Sequence, residues 1–317
     1  FYRYMDPTNE KEFISKESQK YWSDIDIYFG GSEHATGHLL YSRFYQKFLY
    51  DLEYLNKDEY SKKLINQGMI LGNSAFIFRE SGSNKYISSN LISDNEVDKV
   101  RIDIKYVKDD NQVDYNLLKL EDSDFKNSTF KLENDSFYCV REQEKMSKSK
   151  FNVVNPDEIC DQYGADTLRM YEMFLGPIEQ SKPWDTRGIS GVHSFLKKFW
   201  SLFFKDGLIN VSDEEPSKES LKSLHKSIKK ITEDIEKLSL NTCISSFMIC
   251  VNELSSMSCN NREILKELLI LISPFAPHFA EELWSQLGHK ESIVDQVYPE
   301  YNEKYLVETE KLYPVSF

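Results

Sequence analysis

A chain of 317 residues, 40% apolar and 29% charged, is long enough for about two domains and a sizeable core. Its net charge of −13 works against nucleic-acid binding spread over the whole surface, because such binding draws on lysine and arginine clusters; a partner of that kind must meet a local basic face. No stretch approaches the roughly 18 apolar residues of a membrane helix, and the five cysteines, 139, 160, 243, 250 and 259, form no Cys-x-x-Cys pair, which fits reduced intracellular thiols rather than a zinc ribbon.

Residues 1–74 read as part of a nucleotide-binding α/β fold, which the resemblance given below makes its second half. Asp24-Ile25-Asp26-Ile27-Tyr28-Phe29 alternates as a strand does, and Gly30-Gly31-Ser32-Glu33-His34 leads into a helix reaching about Asp51. The glycines leave no side chain where the backbone must turn sharply or approach a ligand, and Ser32 is placed to cap the helix. Glu33 can accept from both hydroxyls of a ribose; a favourable charge on the helix dipole is the competing explanation. A helix over 58–67 and a strand through Met69-Ile70-Leu71 complete the segment. The strand either offers backbone groups to an adenine edge or is simply buried.

Residues 75–143 turn into short alternating strands at Tyr86-Ile87, 100–107 and Phe137-Tyr138-Cys139-Val140, separated by Asn, Asp, Ser and Gly. This is a small β-rich insertion. Residues 144–185 begin with Lys145-Met146-Ser147-Lys148-Ser149, a cationic, hydroxyl-rich loop suited to polyphosphate, though a solvated surface loop has the same composition. Two short helices follow: 156–163, capped by Asn155 with Pro156 at its first position and stopped by Gly164, and 166–175, stopped by Gly176-Pro177.

From 186 to 306 the pattern is a helical bundle, with helices near 188–205, 216–238, 241–257, 261–272 and 276–287. Residues 206–220 read as a flexible connection. Lys222, Lys226, Lys229 and Lys230 lie at helical spacing as a basic stripe would, interleaved with acids as a solvated face would be. His34 and His38, four apart, invite a metal, but the acid precedes the first histidine and no third ligand lies nearby. No metal site is expected.

The run Gly30-Gly31-Ser32-Glu33-His34-Ala35-Thr36-Gly37-His38-Leu39-Leu40-Tyr41, taken with the lysine loop, resembles the leucyl-tRNA synthetases of bacterial type, class I aminoacyl-tRNA synthetases. Gln67-Gly68-Met69-Ile70-Leu71, Tyr163-Gly164-Ala165-Asp166-Thr167-Leu168-Arg169 and Pro274-Phe275-Ala276-Pro277-His278 extend the likeness over most of the chain. The resemblance implies ATP-dependent activation of leucine and transfer to tRNA(Leu), with ATP and Mg²⁺, in the cytoplasm, by a monomer with no membrane role. It implies catalytic lysines at Lys145 and Lys148. ATP and adenylate contacts would come from Gly30, Gly31, Glu33, His34, Gln67, Met69, Ile70, Leu71, Met146, Ser147 and Ser149, and leucine contacts from His38 and Tyr2. The insertion corresponds to a leucyl-specific module that positions tRNA or the loop, and the bundle to the part that faces the anticodon arm.

The departures from the pattern are as informative. No His-Ile-Gly-His type motif occurs, residues 1–7 resemble the return from an editing insertion, and Lys311 to Phe317 resembles the opening strand of a small C-terminal domain, so a fragment is expected. Such a piece alone is expected to be inactive. A non-catalytic tRNA-binding module and a nucleotidyltransferase of the same superfold are the alternative classes.

Overall fold

Two parallel strands and the helices beside them form the first of two units into which the chain divides, residues 1–70 with 179–182; residues 71–178 with 183 onward form the second. The computed structural model describes residues 1–22, 25–92, 96–108 and 110–307. Asp24 of the expected first strand, the side chain of Glu33 and the expected strand at 311–317 lie outside the described residues. Among those described, no helix is long and apolar enough to cross a membrane.

In the first unit, α1 (Tyr2–Met5) and α2 (Lys16–Trp22) precede β1 (Ile25–Gly31), α3 (Leu40–Asp51) and β2 (Ser61–Gln67). β1 and β2 run parallel, with Tyr28 opposite Leu64 and Gly31 opposite Gln67. The expected helix at 58–67 is therefore a strand. Ile65 is its one buried residue while Leu64 turns outward, and pairing with β1 outweighs a weak local helical preference. The helix expected from Glu33 is regular only from Leu40, because Ser32–His34 is a 3₁₀ turn and Ala35–Leu39 a single π turn. Ser32 lies inside that turn instead of capping it; the capping position falls to Gly31, which has no side chain to offer. His34 and His38 consequently do not sit one regular helical turn apart.

The second unit is organised on one long strand, β3 (Ile70–Glu80), of which the expected strand at 69–71 is only the head. β3 pairs antiparallel with β4 (Lys85–Ile87), β5 (Val97–Ile102) and β7 (Val140–Lys145), while β6 (Thr129–Lys131) runs parallel to β4. Ile77, Tyr86, Ile102, Leu118, Phe125 and Phe137 build a core within this insertion. The strand expected over 100–107 stops at Ile102, where Asp103 caps a 3₁₀ turn through the Lys105 amide. A helix absent from the sequence reading, α4 (Tyr115–Glu121), starts where Asp114 accepts from the Leu117 amide.

α5 (Pro156–Tyr163) and α6 (Ala165–Phe174) match the two expected short helices; Asn155 accepts from the Asp157 amide, and Gly164 between them has φ +88°. The bundle consists of α7 (Thr186–Trp200), α8 (Lys218–Glu236), α9 (Leu240–Ser256), α10 (Arg262–Ile272) and α11 (Pro277–Gln286). Cys243, Phe247, Cys250, Leu254, Leu265 and Leu268 are wholly buried there, and all five cysteines are free. The first bundle helix ends five residues earlier than its expected limit at 205. Phe204–Lys205 and Leu208–Ile209 form a hairpin through Asp206-Gly207, both with positive φ, the conformation a tight two-residue turn demands. The connection expected to be flexible is tied down: Asn261 donates to the Glu214 carbonyl at 2.6 Å and Arg262 pairs with Asp213 at 2.6 Å. α11 has no cap of its own, and Asp166 of α6 supplies one, Oδ2 accepting from the Phe279 amide at 2.5 Å.

Candidate active site

β1 and β2 end side by side, so that Gly30-Gly31 and Asn66-Gln67 share one edge of the parallel pair. Ligands of parallel sheets bind beyond such carboxyl ends. Of the two uses expected of the glycines, a sharp turn or close approach to a ligand, the turn is not the one served here: Gly31 is extended, φ −83° and ψ 146°, and neither glycine has positive φ. A Cβ built on Gly30 meets nothing within 4 Å. Neither backbone strain nor packing demands glycine at 30, and the open space beside it leaves room for close approach of a ligand. Gly68 is different, because its Cβ would fall 2.1 Å from the Gln180 carbonyl. The Met69 amide donates to Ser181 Oγ at 3.2 Å and the Met69 carbonyl accepts from the Lys182 amide at 2.9 Å. The Leu71 carbonyl accepts from the Trp184 amide at 2.8 Å. The expected adenine contact thus finds no free amide at Met69.

In the same unit a cavity of about 500 Å³ is lined by Tyr2, Tyr28, His38, Ser42, Tyr45 and Gln46, among others. It brings together the two residues expected to meet leucine, Tyr2 and His38; His34, exposed at the end of its 3₁₀ turn, does not line it. His38 Nε2 is hydrogen-bonded to the Tyr28 hydroxyl. The Tyr2 hydroxyl donates to Gln46 Oε1, whose Nε2 donates to the Lys57 carbonyl at 2.6 Å. Burial raises the Tyr2 phenol above its ordinary range against the opposing Gln46 bond, so it remains a neutral donor. Tyr28, Ser42, Tyr45 and Gln46 escaped the sequence reading, yet His38, Ser42, Tyr45 and Gln46 carry the three- and four-residue spacing of one helical face. Extending that face from His38 would have found them.

In the second unit β7 delivers Lys145 to the head of β3, opposite Leu71. The loop then closes through a 3₁₀ turn, Lys148–Lys150, and through Phe151 in the left-handed region. Its three lysines are not equivalent. Lys150 pairs with Glu144 at 3.2 Å, and Glu144 in turn binds Arg101 at 2.5 Å. Arg101 first, then Ser74, hold the Glu144 carboxyl at about 2, so it keeps its charge and its lysine. Lys145 and Lys148 are exposed and make no ion pair among the described residues. Ser147 and Ser149 face each other, Oγ to Oγ 3.1 Å, and Met146 is half-buried. Two unpaired ammonium groups beside two hydroxyls are left with their donors turned to solvent, the kind of donors that suit an anion.

The expected basic stripe lines a groove of about 460 Å³ between α8 and α9. Lys229 pairs with Glu303 and Lys230 with Asp234, whereas Lys222 and Lys226 have no ion pair among the described residues. Among those residues no group of three or more His, Cys, Asp or Glu is placed to hold a metal ion.

Two families match. One, tRNA synthetases class I (I, L, M and V), covers residues 129–185 and so includes the lysine loop; the other, the anticodon-binding domain of tRNA ligase, covers 217–315. The leucine–tRNA ligase of Flavobacterium psychrophilum is 59% identical over 99% of this chain, and that of Christiangramia forsetii 57% identical over all of it. Over nearly its whole length the chain is homologous to one stretch of the leucyl-tRNA synthetases. It spans 33% of the length of each of these relatives. The fold agrees: LeuRS of Agrobacterium radiobacter K84, solved with tRNA and LeuAMS, superposes with a TM-score of 0.63 at 24% identity, over 96% of this chain and 33% of that one. Methionyl-tRNA synthetase of Mycobacterium tuberculosis, solved with methionyl-adenylate, gives 0.50 at 12%, over 91% and 49%. The expected fold class is therefore that of the family: part of a class I nucleotide-binding α/β fold with a β-rich insertion, followed by a helical bundle.

Proposed function

We propose that this stretch supplies part of the catalytic machinery of a leucine–tRNA ligase: ATP-dependent formation of leucyl adenylate, then transfer of leucine to tRNA(Leu). The observation that carries the reading is the sorting of the lysine loop, in which Lys150 is paired with Glu144 while Lys145 and Lys148 are left unpaired and exposed. Attack of the leucine carboxylate on the α-phosphorus forms the acyl phosphate bond and breaks the bond to the β,γ-diphosphate, on which charge accumulates. Lys148 stabilises that leaving group, with Lys145 in support, and Met146, Ser147 and Ser149 line the approach. Gly30, Gly31 and Glu33 hold the ribose, with His34, Gln67, Met69, Ile70 and Leu71 along the adenylate. His38 and Tyr2 bound the leucine side chain in a cavity whose lining is mostly aromatic and neutral. Mg²⁺ would be held chiefly by phosphate oxygens, because no clustered acids are available for it among the described residues. The bundle, through Lys222 and Lys226, would meet the tRNA.

Lys148→Ala in a full-length synthetase carrying these residues tests the reading. Losing one preorganised donor to a developing anion lowers the rate about 10²- to 10³-fold. We expect that loss in adenylation under single-turnover conditions, an almost unchanged affinity for leucine, and a smaller effect on transfer from preformed adenylate, since pyrophosphate has by then departed. Adenylation at near wild-type rate, or slowing of transfer alone, would make the loop a tRNA contact instead.

A further inference from the structure

Asn152 follows the lysine loop, is 2% exposed, and has no role in the reading above. Its side chain makes three contacts. Oδ1 accepts from the Ser147 amide at 3.0 Å, and Nδ2 donates to Ser74 Oγ at 2.9 Å and to the Lys145 carbonyl at 3.4 Å. The orientation of the amide is fixed by its partners, because the Ser147 N–H can only donate and the Lys145 carbonyl can only accept. One buried carboxamide thus ties both shoulders of the loop to a hydroxyl on β3. The strand is shaped for it: a Cβ on Gly72 would fall 2.3 Å from the Asn152 carbonyl oxygen and 2.9 Å from Met146 Cγ. The neighbouring residue adds a third tether, since the Phe151 carbonyl accepts from the Ile104 amide of the insertion at 3.2 Å.

We infer that Asn152 is a positioning residue for adenylation, acting through Lys148: with Gly72 and Ser74 it latches the lysine loop to β3 and fixes where the unpaired ammonium points. The inference rests on the proposed role of Lys148. A carboxamide suits the task because it accepts and donates at once, and a buried one that loses a partner leaves an unsatisfied group behind. The latch lies at the base of the insertion, where β3 and β7 pair, so the insertion and the loop share one support.

The test uses a full-length synthetase carrying these residues and two readouts. In Asn152→Ala we expect kcat for leucine-dependent ATP–pyrophosphate exchange to fall about 100-fold, the effect of displacing a reacting partner by about 1 Å, with little change in the KM for leucine. Placed on Lys148→Ala, the same substitution should add less than roughly threefold, because coupled residues are non-additive. Gly72→Ala, which presses on the latch from the strand, should reproduce the pattern if Asn152→Ala folds poorly. Independently of activity, hydrogen exchange at the Ser147 amide should accelerate in Asn152→Ala while the β3 amides stay protected. A near wild-type kcat in Asn152→Ala, a full second loss on the Lys148→Ala background, or unchanged exchange at Ser147 would overturn the latch. If Lys148→Ala itself leaves adenylation intact, the lysine reading has failed, and Ser147 exchange alone then decides whether the latch exists.

Discussion

Phe151 closes the lysine loop with φ 50° and ψ 36°, a left-handed conformation that places Cβ against the following carbonyl, and the residue is 51% exposed. An L-residue there carries about 1 to 2 kcal/mol of strain, whereas glycine carries none but gives back about 0.5 to 1 kcal/mol of chain entropy. We expect Phe151→Gly to raise the free energy of unfolding by up to about 1 kcal/mol, and Phe151→Val, branched at Cβ, to lower it. Denaturant midpoints at unchanged slope measure both. A loss in Phe151→Gly would mean that the side chain makes contacts worth more than the strain. At this scale the sequence was legible where chemistry is carried by residue type: the lysines, the hydroxyls and His38 announce themselves. Asn152 and Gly72 did not, since their roles depend on β3 passing beneath a loop about eighty residues further along the chain.

Along α8 the segment 298–306 is strapped down by side chains that titrate. His225, 7% exposed, stacks on Tyr305 at 4.6 Å, and its Nδ1 accepts from the Asn302 amide at 3.4 Å; Lys229 binds Glu303, and Lys304 lies over the Tyr305 ring. Burial first, then the charge of Lys304, lower the His225 pKa below its ordinary range. A base with a depressed folded pKa binds fewer protons folded than unfolded, so the strap keeps its full stability above the unfolded value of about 6.5 and loses it as pH falls below. Protonation also turns the acceptor of the Asn302 amide into a donor. We expect exchange of that amide, corrected for its intrinsic rate, to speed up between pH 7 and pH 5, and His225→Phe, which keeps the stack, to abolish the dependence; an unaltered dependence in His225→Phe would locate it elsewhere. The insertion makes a second case. Because β3 and β7 are paired from Leu71–Lys145 to Phe76–Val140, the expected boundaries of 75 and 143 would cut through the ladder. Replacing 78–138 by Asn-Gly instead joins Ile77 to Cys139 through a two-residue hairpin turn. We expect the helical circular dichroism of the bundle to survive, and its collapse would show that the insertion is integral to the core of this unit. Helices with clear caps and three-four spacing, such as α5 and α10, were legible; β2 and α4 were not, because short segments take the state their neighbours pair with.

For the molecule as a whole, the decisive physical fact is how little of the first unit covers itself. Its sheet has two strands among the described residues, and Ile27 and Phe29 of β1 and Tyr41, Phe44, Tyr45 and Phe48 of the following helical stretch are each more than two-fifths exposed. An isolated two-stranded sheet is marginal in water, and large apolar side chains exposed in this number call for a cover. The bundle is the reverse case, with every residue of the series Leu265, Leu268, Leu269, Leu271 and Ile272 buried. The two units should therefore differ in how much they need from the remainder of a polypeptide that, in the relatives, is about three times as long. We expect the 317-residue chain by itself to show cooperative unfolding of its helical signal, to bind an apolar dye strongly, and to give no leucine-dependent exchange between ATP and pyrophosphate. In a full-length synthetase carrying these residues the dye signal should fall and exchange should appear. Exchange by the 317-residue chain alone would overturn this, since it would mean that the exposed face of the first unit is a working surface and not one awaiting its cover.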